Sequence, residues 1–509
     1  MKKRILVCLI MFVALITGGI ALGQADPPEM PQWAVIVHQL ALRAHGSVHA
    51  NGSTGIFPPV IPERFRSADA DGAVETYNLD APTNTRGNPF FQSLGTNGRA
   101  CVTCHEPRSA WGVSAASIQQ RFYQSRGTDP IFRVVDGATC DNSDVSSFDA
   151  MRKAYSLLLT KGLIRIFLPL PDTQLGSNPP QPRDYEIVAV NDPYGCTDLS
   201  SVPAIVSVYR RPLPAANLRF LTGCPQSDPS CSPLSIMWDG REPNLRSQAL
   251  DATLGHAQAL NPPSDEQLAQ IVNFESHIYD AQERDRIAGS LHKKDANGGP
   301  SFLSRQDFTI GINDSLSPNF DNAVFTLYDT WRNLAASPKR GAARAAIARG
   351  EALFNTRQFT ISNVNGLNLL AADPVGATPV TGTCTTCHDS PNVGNHSSKL
   401  ALDIGVADAA PPVLDVTNLP LFTVQCIAGP LAGQSFEVTD LGRALISGRC
   451  ADVGKMKGPI LRGLAARAPY FHNGSAATLA DVVEFYNQRF SIGFSDQEKA
   501  DLVAFLQAL

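Results

Sequence analysis

The apolar and polar positions along the chain predict a mainly α protein with small β insertions. Ser114 to Tyr123 has helical spacing. Leu163 to Leu168 and Tyr185 to Val190 read as strands, separated by a Pro-rich loop from Pro169 to Pro182. Ser264-Asp265-Glu266-Gln267 is a capping-box pattern and predicts a helix over Ser264 to Ile287. A further helix is predicted over Asn322 to Asn333. Residues 341 to 355 are Ala-rich and helical, with Gly350, Leu353 and Phe354 on the apolar side. Gly350 is placed to let another helix cross closely. Ser495 to Glu498 is a second capping box, opening a last helix whose Leu502, Phe505 and Leu506 share a face. Leu419 to Gln425 and Phe436 to Thr439 read as a second small β insertion. The expected division is 26–337 and 338–509, near Ser337-Pro338, with the first β insertion at about 128–233.

The first 25 residues change the compartment. Met1-Lys2-Lys3-Arg4, the apolar run Ile5 to Ile16 and the small residues up to Ala25 form a signal-peptide pattern. An uncleaved anchor is the alternative. No later segment is long and apolar enough to span a bilayer, so no stable membrane insertion is expected after cleavage. Without Lys2, Lys3 and Arg4 the chain carries 39 basic and 47 acidic residues, a formal charge of −8. That balance argues against nucleic acid and suits a small basic electron-transfer protein as partner. Residues 26 to 87 are rich in Pro, Gly and Asn, with a short helical stretch near Trp33 to Ala44. His38, His45 and His49 fall there, but Gly46 and the loop-like sequence after it weaken a ligand role.

The chemistry lies in two pentapeptides, Cys101-Val102-Thr103-Cys104-His105 and Cys384-Thr385-Thr386-Cys387-His388. Two thiols three residues apart reach the two vinyl groups of one porphyrin, and the next histidine sits under the iron. Each therefore reads as a covalent haem c site. A zinc site needs four ligands, and no second CxxC or HxxxH lies near enough to complete one. With Cys8 in the leader and four cysteines on haem, six remain. Three disulfides are expected, with nearest-neighbour pairing: Cys140–Cys196, Cys224–Cys231 and Cys426–Cys450.

Around these motifs the chain resembles the bacterial di-haem cytochrome c peroxidases and their MauG relatives. The match is carried by each CxxCH and by Trp238-Asp239-Gly240-Arg241 with Gln248-Ala249. It is also carried by the block from Lys457 through Ala468-Pro469-Tyr470-Phe471-His472-Asn473-Gly474 to Tyr486. The resemblance implies two cytochrome-c-like helical domains with one haem each. It makes Trp238 the bridge between haems, against a plain core aromatic, and sets Gln248 in the peroxide pocket. Where the family has a proton-shuttling glutamate, this chain has Gln258, and an amide cannot take up and return a proton as a carboxylate does. His256, two residues away, supplies acid–base function or else caps a helix or bonds a propionate. Tyr486 stands where peroxidases of the family place a methionine ligand and MauG proteins a tyrosine. Met456, His472 and His396 are the alternatives, Met456 foremost. A hard oxygen ligand lowers the iron potential that a thioether raises. No histidine occurs between His105 and His256, so the first iron is expected to be open. Calcium between the domains is possible. Ser207 stands where family members often have Asn, and Arg467 where they have Thr before Ala-Pro.

The implied function is a periplasmic di-haem oxidoreductase. Hydrogen peroxide is activated at the His105 haem and electrons pass through Trp238 to the His388 haem. The electron donor is a cytochrome c or cupredoxin, or a protein or organic substrate is oxidised instead. A dioxygen-using enzyme resembling di-haem rubber oxygenases and a non-catalytic electron carrier are the other readings.

Overall fold

The computed structural model of the chain describes residues 58–223, 234, 236–334, 339–368 and 378–509. The leader, His38, His45, His49, the expected Cys224–Cys231 pair and Ser337-Pro338 lie outside them.

The capped helices form where local signals set them. Ala115–Ser125 starts behind Ser114, which accepts from the Ser117 N–H. Asp265–His277 and Asp496–Gln507 each start with a complete capping box. The Lys339–Thr356 helix crosses Asp496–Gln507 at Gly350. A Cβ there would lie 2.0 Å from the Asp501 carbonyl oxygen, so only glycine allows the approach. Phe354, Leu502, Phe505 and Leu506 fill the core around that crossing.

One predicted helix is cut short and another is replaced by other structure. The helix from Ser264 stops at His277, and Ile278–Asp285 continues as a strand. Its first six residues are buried, because it is an inner strand of a four-stranded antiparallel sheet. The order is Gly289–Ser290, Ile278–Asp285, Gly72–Asn78, Arg64–Ala68. The stretch from Asn322 is extended, with a single 3-10 turn at Asp329–Trp331. Side chains of the Lys339–Thr356 helix take its backbone groups in place of helical bonds. Glu351 accepts from the Leu327 and Tyr328 N–H groups, and Asn355 bonds both N–H and C=O of Phe325.

The predicted strands exist, but not as two separate small insertions. Ile164–Pro169 pairs with Ile205–Arg210. Tyr185–Asn191 pairs instead with Leu421–Cys426, which also pairs with Ser435–Val438. One three-stranded sheet thus joins residues on either side of the second pentapeptide, over one core containing Leu158, Ile166, Val208, Phe422 and Val424. Helix still outweighs strand, yet the β structure is more extensive than a mainly α reading expects. Disulfides Cys140–Cys196 and Cys426–Cys450 staple this region as predicted.

Candidate functional site: paired haem cavities

The two pentapeptides fold alike. Each begins as a 3-10 turn, Cys101–Thr103 and Cys384–Thr386. In each a threonine hydroxyl accepts from the N–H just before the first cysteine: Thr103 from Ala100 at 2.9 Å, Thr386 from Thr383 at 3.0 Å. The histidine N–H bonds the first cysteine carbonyl, at 3.1 Å in His105 and 3.3 Å in His388. This holds both thiols and the imidazole beside one cavity.

Each imidazole is oriented by a backbone carbonyl. His105 Nδ1 donates to Trp111 O at 3.0 Å, and His388 Nδ1 to Gly394 O at 2.7 Å. Nε2 is left as the ligand atom, the arrangement that fixes metal-bound histidines. Trp111 is fully buried and its Nε1–H donates to Thr76, whose hydroxyl donates to Asp280. The four-stranded sheet therefore sets the His105 ring. Burial pushes His105 down to about 4 and keeps it neutral.

All four motif thiols are free and half-buried, with their remaining surface on the cavities. Burial pushes Cys104 up to about 11 and Cys384 and Cys387 to about 12. A redox or zinc cysteine needs the opposite, a lowered pKa.

The first cavity is lined by Cys101, Cys104, His105, Gln248 and His256; the second by Cys384, Cys387, His388, Trp238 and Tyr486. They hold about 1380 and 1800 Å³ of atom-free space, open solvent at their mouths included. The thiol pair and the oriented imidazole fit a c-type haem in each. Pro212, Leu213, Pro214, Lys457 and Ile460 line both cavities and form a shared wall. Met237 lines the first cavity and the adjacent Trp238 lines the second. Trp238 is pinned to the wall: its Nε1–H donates to Arg211 O at 2.8 Å, and its carbonyl accepts from Lys457 N–H at 2.8 Å.

Of the residues expected at the peroxide pocket, Gln248 and His256 line the first cavity. His256 Nδ1 lies 2.5 Å from Asp136 Oδ2. Asp136 also pairs with the buried Arg99 and is itself buried. Burial opposes its charge, but Arg99 and His256 outweigh that and hold its carboxyl below the usual range. Gln258 lies outside the cavity wall. Its backbone is left-handed, its Oε1 accepts from Asn97, and its carbonyl accepts from Thr96 at 2.8 Å. Together with Ala257 it clasps the loop before Cys101, where a Cβ on Gly95 would lie 1.8 Å from the Ala257 carbonyl oxygen.

Tyr486, Met456, His396 and His472 all line the second cavity. Burial and the nearby Cys387 and Cys384 raise the Tyr486 phenol pKa. Met456 sits on a short strand paired with Leu402. His396 Nδ1 lies 2.7 Å from Asp389, and the His472 ring packs edge-on to Trp238 at 6.1 Å.

Several residues here carried no sequence signal. Asp136 and Arg99 are isolated charges. Glu275 lines the first cavity, with burial raising its carboxyl to about 8 and its Oε2 unpaired. Pro212-Leu213-Pro214, a rigid segment after a strand, was the one readable hint of a wall. Among the described residues, the His, Cys, Asp and Glu atoms close enough to hold an ion are those of Cys140, Asp141 and Cys196, and that pair of sulfurs is a disulfide.

No protein-family model matches the chain. It is 38% identical over 136 residues to the cytochrome-c peroxidase IdrP2 of Denitromonas iodatirespirans, covering 25% of this chain and 36% of that protein. It is 31% identical over 141 residues to IdrP1 of Pseudomonas sp. (strain SCT), with the same shares. It is 35% identical over 99 residues to cytochrome c551 peroxidase of Nitrosomonas europaea, covering 17% of this chain and 30% of that protein. The chain thus spans about a third of the length of these curated relatives. A crystal structure of a MauG-like protein associated with microbial copper homeostasis aligns over 91% of this chain and 95% of its own, at 15% identity and a TM-score of 0.36. What the motifs and their sequence relatives describe is a c-type haem protein. Over the stretches matched, the chain is similar to bacterial cytochrome c peroxidases.

Proposed function

We propose that the protein is an exported di-haem oxidoreductase of the peroxidase type, using hydrogen peroxide at the first cavity. Cys101, Cys104 and His105 would hold one haem c, and Cys384, Cys387 and His388 the other. Bound there, the haems supply the iron that meets peroxide and the store that exchanges electrons with a small redox protein or an oxidisable substrate. The observation that carries the reading is the shared wall: Met237 and Trp238, neighbours in sequence, face opposite cavities. Trp238 and the Pro212–Pro214 segment give the short path between them.

His256 is the acid–base group. Asp136 holds its Nδ1–H, so Nε2 is free to take a proton from peroxide and return it to the leaving oxygen. An electron carrier has no use for such a dyad, which favours the enzyme reading. Gln248 offers the bound peroxide both a donor and an acceptor. Tyr486, which lines the second cavity, would ligate an iron held there, with Met456 as the alternative. The two disulfides fit a periplasmic location.

The test is titration of the oxidised, haem-loaded protein with stoichiometric hydrogen peroxide, followed by absorbance and electron paramagnetic resonance. Loss of a high-spin ferric signal with a lasting spectral change at both haems is expected. Two low-spin haems that peroxide only bleaches would overturn the reading.

A further inference from the structure

The resemblance implies a calcium ion near the residue before Ala468-Pro469, which here is Arg467. The structure fills that neighbourhood differently. Three backbone carbonyls converge there on the guanidinium of Arg211. Its Nη2 donates to Val113 O and to Arg467 O, each at 2.6 Å, and its Nη1 donates to Pro469 O. Val113 follows the first Cys–His turn, whereas Arg467 and Pro469 belong to the block before His472. Carbonyl oxygens gathered from separate segments are a ligand set that hard cations take.

Arg211 is buried, and its guanidinium bonds to Val113, Arg467 and Pro469 run to carbonyls, not to carboxylates. Burial and the neighbouring Arg467 push its guanidinium down to about 9, still charged at neutral pH. A second cation in the same nest would face this charge at close range in a dry setting, so the two exclude each other. We propose that the Arg211 guanidinium is the resident cation of this joint and that the protein neither binds nor needs calcium there.

The joint matters because of what Arg211 touches. Its carbonyl accepts from Trp238 Nε1, its N–H donates to His472 O at 2.7 Å, and the shared wall begins at the next residue, Pro212. A removable ion at this place would make the spacing of the two cavities depend on metal supply. A side chain makes it permanent.

The experiment uses the haem-loaded protein. Elemental analysis after gel filtration is expected to find no stoichiometric calcium. Chelator or added calcium chloride is expected to move Tm by less than about 1 °C, below the shift a bound ion gives. Arg211→Ala is expected to lower Tm by several degrees and to regain part of the loss with calcium chloride or methylguanidinium, neither of which helps the wild type. Stoichiometric calcium in the wild type, or a Tm that falls on chelation, overturns the proposal. So does an Arg211→Ala variant that gains nothing from either cation. If that variant does not fold, the wild-type measurements decide alone. Because metal content and Tm are the readouts, the outcome is independent of whether peroxide is the oxidant.

Discussion

His256 and Asp136, 120 residues apart, meet through Nδ1 and Oδ2 at 2.5 Å. The contact couples the end of the Leu245–Gly255 helix to the β-rich region, and it sets a histidine with one committed nitrogen in the wall of the first cavity. His256→Ala should lower kcat/KM for peroxide by roughly 10²–10⁴, the usual worth of a positioned acid–base group. Asp136→Asn should give a smaller loss with a shifted pH profile. Equal activity in both variants, with unchanged haem spectra, would leave His256 as a packing residue.

The ligand of the second haem can be read directly. Tyr486→Phe should abolish phenolate-to-iron charge-transfer absorbance and raise the reduction potential, while Met456→Leu changes neither. Loss of a thioether absorbance band in Met456→Leu, with Tyr486→Phe silent, would reverse the assignment.

Asp239 of the Trp-Asp-Gly-Arg block is buried between Arg210 and Arg241, and Arg210 also grips Asp440 through two bonds of 2.7 and 2.8 Å. Burial opposes the Asp239 charge, but Arg241 and Arg210 prevail and bring its pKa from 3.8 to about 2. A depressed carboxylate contributes stability that is complete above its unfolded pKa and is lost as pH falls through the folded one. The expected contribution is about 2 kcal/mol, disappearing between about pH 4 and pH 2. Asp440→Asn leaves Arg210 short of a charge partner and should cost about 3 kcal/mol at neutral pH, measured by denaturant unfolding.

Gly350→Ala sets a methyl group against the Asp501 carbonyl oxygen at 2.0 Å, so the two helices must separate. A loss of at least about 1–3 kcal/mol is expected, with altered spectra at the His388 haem because Phe354 packs on that imidazole at 5.9 Å. An unchanged Tm would mean that the crossing is looser than described.

What was legible in the sequence was chemistry acting within a few residues. The caps at Ser114, Ser264 and Ser495 and the two Cys–His turns need only their own neighbours. Pairing across the chain was not legible. Ile278, Tyr279 and Ala281 continue the apolar spacing of the helix before them, and only Gly72–Asn78, some two hundred residues earlier, makes that segment a strand. The stretch after Asn322 lost its helix to Glu351 and Asn355, which no local pattern announces. In the candidate site, Gln248, His256, Trp238 and Tyr486 line the cavities, whereas Gln258 packs behind one. Asp136 and Arg211 are single charged residues whose meaning comes entirely from what the fold brings to them.

The ladder between Tyr185–Asn191 and Leu421–Cys426 has a consequence for biogenesis. A chain emerging amino end first presents Tyr185–Asn191 as a bare edge until its partner emerges. Both Cys–His turns precede that partner in the chain, so both thiol pairs emerge before the sheet can close. Cutting the polypeptide between the two turns would leave Tyr185–Asn191 without its partner and bare one edge of Leu421–Cys426, an invitation to aggregate. The segments carrying the two Cys–His turns are therefore tied into one sheet and not interchangeable modules.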